Sequence, residues 1–143
     1  MKSVNERYVA IIDDSAFYDM ELWNKFTKKS NIQGLFYLDY HRHDSYEGKI
    51  LWSNNKPIVS CRDLLWNSLE DEEELVKKIN DRVNLGQINV KYPEAYTFVY
   101  VHAWTKETSN VEKVANMLKE NKNVRIVTPE IFMQLINKNI KIK

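Results

Sequence analysis

Apolar residues fall on consecutive positions in five short stretches: Tyr8 to Ile12, Leu35 to Leu38, Pro57 to Cys61, Tyr96 to Val101, and Val124 to Val127. A run of this kind, apolar on successive instead of alternate residues, suits a strand covered on both faces. Between these runs the apolar spacing lengthens to three and four. Leu22, Trp23 and Phe26 form one stripe, and Leu75, Ile79 and Val83 a second. Val111, Val114, Ala115 and Leu118 form a third, and Ile131, Phe132, Leu135 and Ile136 a fourth. Each stripe predicts an amphipathic helix. One further apolar piece, Lys49 to Trp52, is joined to Pro57–Cys61 through Asn54-Asn55. Asparagine tolerates left-handed backbone, so the pair predicts a β-hairpin.

Boundary residues agree with this division. Asp19 can cap the first helix, and Lys28 and Lys29 suit its last turn. Ser68 with Asp71 is a weak capping signal before the acidic run Glu70–Glu74, which reads as a solvated helix start favoured by the dipole. Gly86 and Pro93 mark a loop over residues 84–95. Ser109 with Glu112 predicts a capping box, and Thr128-Pro129 places a cap and a proline at the start of the last helix. The order is strand, helix, strand, hairpin, strand, then three helices alternating with two strands. That order predicts an α/β fold: a mainly parallel sheet of about five strands, flanking helices and a β-hairpin insertion. A single α/β domain over residues 1–143 fits the length. Tyr96 to Thr105, YTFVYVHAWT, reads as its central, doubly covered strand.

Composition narrows the function classes. The net charge of +1 leaves no electrostatic footprint for nucleic acid. No apolar run reaches the length that crosses a bilayer, so no membrane partner is expected. The start, MKSVNERY, carries no signal peptide, which implies a cytoplasmic protein if the chain is complete. The single cysteine, Cys61, excludes an intrachain disulfide and reads as a small buried residue.

Candidate chemistry gathers where the strands stop. Ligands of parallel α/β sheets bind at the carboxyl ends of strands. Here those ends carry Asp13 and Asp14; Asp39, His41, His43 and Asp44; Arg62 and Asp63; His102 and Trp104; and Glu130. Paired carboxylates can supply an acid and a base for hydrolysis. Trp66 and Trp104 offer flat apolar faces to a sugar ring. The same acids also serve as helix caps and turn residues. His41 and His43 would point the same way on an extended chain, but two histidines in a loop do not alone make a metal site. No metal or cofactor is expected. Trp23 and Phe26 read as core, and Trp52 as hairpin packing. Motifs GxGxxG, GxxxxGK[ST], HExxH and GxSxG are absent.

Four segments then carry a resemblance: the Asp13-Asp14 strand end, GLFYLDYHRHD at 34–44, GKILWSNNKPIVSCRDLLW at 48–66, and YTFVYVHAWT with VRIVTPEIFMQLI at 124–136. In order and spacing they resemble the carboxyl-terminal part of the GxGYxYP putative glycoside hydrolase family. The resemblance implies part of a (β/α) barrel acting on carbohydrate. The namesake motif is absent from these residues and is expected to lie before residue 1, which would make this chain one wall of a site. About five strands do not close a barrel, so a homo-oligomeric partner or a preceding region is expected to cover the sheet edge. On this reading Asp13 and Asp39 are the acid–base pair and His102 a hydrogen-bonding or proton-transfer partner. Asp14, His41, Arg62, Trp66 and Trp104 contact the substrate. A non-catalytic carbohydrate- or protein-binding module is the alternative. A metal-dependent deacetylase-like hydrolase, using His41, His43 and an aspartate, is a further one.

Overall fold

The computed structural model describes residues 8–12, 20–37, 49–65, 71–86 and 89–140, with side chains from Glu21 onward except Gly86. The strands are β1 (Tyr8–Ile12), β2 (Ile32–Tyr37), β3 (Ile50–Ser53), β4 (Lys56–Ser60), β5 (Asp63–Leu65) and β6 (Val99–Val101). The helices are α1 (Met20–Thr27), α2 (Glu72–Gly86), α3 (Thr108–Lys119) and α4 (Pro129–Asn139), with a 3-10 turn at Pro93–Ala95. The chain forms two compact units. One comprises Met1–Cys61 with Thr128–Lys143, the other Arg62–Val127.

The first unit is a four-stranded sheet in the order β1-β2-β4-β3, parallel except for β3. Its centre is β2, whose side chains alternate between two helices. Leu35 and Tyr37 join Trp23 and Ile58 in one core cluster, with the Trp23 and Tyr37 rings 5.4 Å apart. Phe36, on the other face, meets Phe132 of α4 at 5.4 Å. A strand covered on both faces needs apolar residues at every position, which explains the consecutive run in its sequence. The hairpin turns through Asn54 and Asn55 with φ of 48° and 63°, as their residue type predicts. Asn54 Nδ2 donates to Asn24 Oδ1 at 2.7 Å and to Thr27 Oγ1 at 2.9 Å, tying the turn to the end of α1.

The second unit pairs β5 and β6 in parallel and packs α2 and α3 beside them. Leu65, Leu75, Val76, Ile79, Val114 and Leu118 are its core. The expected helix stripes supply most of these positions. Val111, at the margin of its stripe, is exposed.

Several expectations are corrected. Among the described residues the strands lie in two sheets, of four and two, not in one of about five. A strand at Asp63–Leu65 is added, and Val124–Val127 forms none. Arg125 interrupts that run, and Arg125 and Ile126 are both exposed, leaving it little to bury. YTFVYVHAWT is not the central, doubly covered strand. Only Val99–Val101 is extended in a sheet, and it is half-buried. The residues before it are committed elsewhere: Tyr96 Oη donates to the Val90 carbonyl at 2.8 Å, and Thr97 bonds Asp63. The doubly covered strand is β2. Glu107, not Ser109, caps α3, its N–H donating to Asn110 Oδ1 at 2.9 Å. Asp71 caps α2, accepting from the Glu73 N–H at 2.8 Å. Thr128 and Pro129 start α4 as expected, Thr128 Oγ1 accepting from the Ile131 N–H at 3.3 Å.

Candidate functional site

The chain leaves β6 at Val101 and folds at once into a tight turn. The His102 carbonyl accepts from the Thr105 and Lys106 N–H groups, each at 3.1 Å, and from Thr105 Oγ1 at 3.2 Å. This turn brings the Trp104 ring onto His102: the centroids are 4.3 Å apart and the planes 23° from parallel. Behind His102, the Tyr100 ring meets it edge-on at 5.2 Å. Tyr100 and His102 share a strand face because they are two residues apart. Three rings are therefore held in a row, and the outermost, Trp104, is 79% exposed.

Lys106 fixes the far end of the turn. Its Nζ lies 3.1 Å from Glu72 Oε1 in the first turn of α2, and both side chains are largely buried. The Glu72 carboxyl is held below the usual carboxylate range, first by a backbone N–H and then by the hydrogen bond from Lys106. The expected solvated character of the Glu70–Glu74 run thus fails at Glu72. An indole that is stacked on one face and open on the other is a platform for a flat apolar surface such as a pyranose ring.

Asp63 has a different role from this platform. It is buried at the start of β5 and accepts from both Nη1 (3.3 Å) and Nη2 of Arg82 in α2, and from Thr97 Oγ1 before β6. A carboxylate so saturated joins three elements and has little capacity left for an incoming ligand. Arg62, one residue earlier, stands at the amino end of β5, whereas His102 follows the carboxyl end of the parallel β6. The added strand therefore puts Arg62 and His102 at opposite ends of this pair, about 13 Å apart along the strands. Glu130 lies in the first turn of α4 and accepts from Gln134 Nε2 at 3.3 Å. Asp13, Asp14, Asp39, His41, His43, Asp44 and Trp66 fall outside the described residues.

One group of carboxylates among the described residues is close enough to share an ion: Asp71, Glu72 and Glu73. Each already has a partner, as helix cap, with Lys106, and with Lys113 at 2.6 Å respectively. Tyr100 and Lys106 were missed in the sequence. The signal for Tyr100 was present, since Tyr100, His102 and Trp104 recur at every second position.

No helix among the described residues is long and apolar enough to cross a membrane. Residues 1–137 match the family model of the GxGYxYP putative glycoside hydrolase C-terminal domain. Neither a curated protein nor a solved structure matches the chain significantly.

Proposed function

Because the chain belongs to the GxGYxYP putative glycoside hydrolase C-terminal domain family, we propose that it is a carbohydrate-active domain that holds a sugar ring against Trp104. The observation that carries this reading is the stacked His102–Trp104 pair with its outer face open. The apolar face of a pyranose covers the indole. Asp13 and Asp39 are proposed as acid and base, one protonating the leaving oxygen and the other acting on water or on the anomeric carbon. Asp14, His41 and Trp66 are proposed as further substrate contacts, and His102 as a group that hydrogen-bonds the sugar held on Trp104.

Trp104→Ala tests the platform. The side chain is exposed, so the melting temperature should stay unchanged while oligosaccharide affinity falls at least roughly tenfold. Unaltered affinity would remove the platform. Turnover with Asp39→Asn and His102→Ala tests catalysis: activity equal to that of the unmodified chain would exclude both residues from the reaction.

A non-catalytic binding module is the second reading. It is favoured by Asp63, a carboxylate that the sequence offers for chemistry but that is already spent on Arg82 and Thr97. Oligosaccharide binding without bond cleavage, in the full chain, would select it.

A further inference from the structure

Trp104 is open to solvent, so its own burial cannot hold the turn that carries it. That turn is a single helical turn that goes no further. The Lys106 N–H donates to the His102 carbonyl in the i to i+4 pattern, but Glu107 returns to extended backbone, with φ −85° and ψ 161°, before α3 begins at Thr108. A lone turn fixes several dihedrals for few hydrogen bonds and does not persist in water unaided. It needs an anchor outside itself.

Lys106 supplies that anchor. Ala103 and Trp104 are exposed, whereas the Lys106 side chain keeps only 5% of its accessible surface. Lysine is almost never buried this far unless it is paired, and burying it removes the rotamer freedom of a long stem. Its partner is Glu72, 34 residues away in the chain, so the contact ties the turn to another element. Glu72 is well fixed in turn. It stands in the first turn of α2, where free N–H groups favour a carboxylate, and α2 is seated in the core through Leu75, Val76 and Ile79. The flanking acids are committed elsewhere, Asp71 to the Glu73 N–H and Glu73 to Lys113. Glu73 and Lys113 form an open surface pair, and such pairs contribute little. The Lys106–Glu72 pair is shielded from water, where losing one partner leaves the other as a desolvated charge.

We propose that Lys106 and Glu72 are positioning residues for Trp104: their ion pair holds the turn that lays the indole on His102 with its outer face open. Neither residue touches a ligand. The proposal rests on the reading of Trp104 as a platform, and it extends that site to α2, an element with no residue in the row of rings. Without the pair, the ammonium leaves for water, the turn frays from its Lys106 end, and Trp104 no longer lies flat on His102. A ligand must then restore the stack before it can use the indole, so its affinity falls with the fraction of chains that keep the stack.

The stack can be read without any ligand. An indole 4.3 Å from an imidazole displaces the imidazole ring-proton resonances through its ring current. The His102 signals are identified by their loss in His102→Gln, and Trp104→Ala sets their value without the stack. The spectra are taken at about pH 8, above the range in which imidazoles ordinarily titrate. Lys106→Met and Glu72→Ala should each move the His102 signals at least about halfway to the Trp104→Ala value, as when a held conformer becomes one of two comparable ones. Lys106→Arg, whose guanidinium also pairs with a carboxylate, should keep them near those of the unmodified chain. Unmoved amide signals of Leu65, Val76 and Ile79 show in the same spectra that the core is intact. Should Lys106→Met disturb them, Glu72→Ala decides alone, since alanine is the best helix former. His102 signals unaltered in both variants would overturn the proposal by showing that the turn holds itself. A loss in Lys106→Arg as large as in Lys106→Met would also overturn it, since the charge would then not matter. A chain that responds as expected yet binds no oligosaccharide would keep the positioning and fail only the platform reading.

Discussion

Gly34 shows how a single missing side chain fixes the packing of the first unit. A Cβ at this position would lie 2.8 Å from the Pro57 carbonyl oxygen in β4 and 2.6 Å from Met133 Sδ in α4. The methionine tip can move, but the carbonyl belongs to the neighbouring strand. Gly34→Ala should therefore cost about 1–3 kcal/mol by overpacking, read as a lowered midpoint in urea with an unchanged slope. A midpoint equal to that of the unmodified chain would show that β2 and β4 can separate freely. The sequence marked Gly34 as a break before a strand, and the strand in fact begins two residues earlier, at Ile32. A glycine inside a strand signals close backbone approach as readily as it signals a loop. Trp23 and Cys61, both buried, were legible because their apolar neighbours left them no other place. Asp63 was not, since an aspartate after an apolar run reads alike whether it faces a substrate or a guanidinium 19 residues further along the chain.

At the scale of elements, Asp63 and Glu72 each join β6 or its turn to α2. Removing the Asp63 carboxylate strands the Arg82 guanidinium, whose side chain is only 15% exposed. Asp63→Ala should cost about 3–5 kcal/mol, whereas Asp63→Leu with Arg82→Met should recover much of that loss. Thermal melting of the single and double variants decides this, and equal loss in both would show that packing, not the stranded charge, is at issue. Glu72 gives a pH dependence. Its carboxyl binds a proton less readily in the folded chain, so its contribution is present above the unfolded value of about 4.3 and disappears as pH falls through the lower, folded value. Glu72→Gln should thus reduce the stability at pH 7 but flatten its decline between about pH 5 and 3. An unchanged acid limb would assign that decline to other carboxylates. Helices and the hairpin were legible from periodicity and turn residues, and their stripes became the two cores. Caps shifted by a few residues because several polar side chains compete for the same free N–H groups. The strand Asp63–Leu65 escaped notice because three residues carry no period.

For the whole molecule, the chain leaves the first unit after Cys61 and returns to it at Thr128, so the second unit is an insertion between β4 and α4. Alternating strands and helices predicted one parallel sheet, and local pattern cannot distinguish that from two sheets built consecutively. Each unit has its own apolar cluster, with Trp23, Leu35 and Ile58 in one and Leu65, Ile79 and Leu118 in the other. Such cores open as separate cooperative units, each with its own free energy. Gly34→Ala overpacks only the first unit, and Asp63→Ala removes bonds only from the second. Hydrogen exchange should therefore accelerate in residues 32–37 and 56–60 for the first variant, and in residues 63–65, 72–86 and 99–101 for the second. In the double variant the two effects should add to within about 0.5 kcal/mol, as for distant sites without shared partners. If either substitution alone accelerates both sets of amides equally, the two units unfold as one. Their separate cores would then not be separate sources of stability.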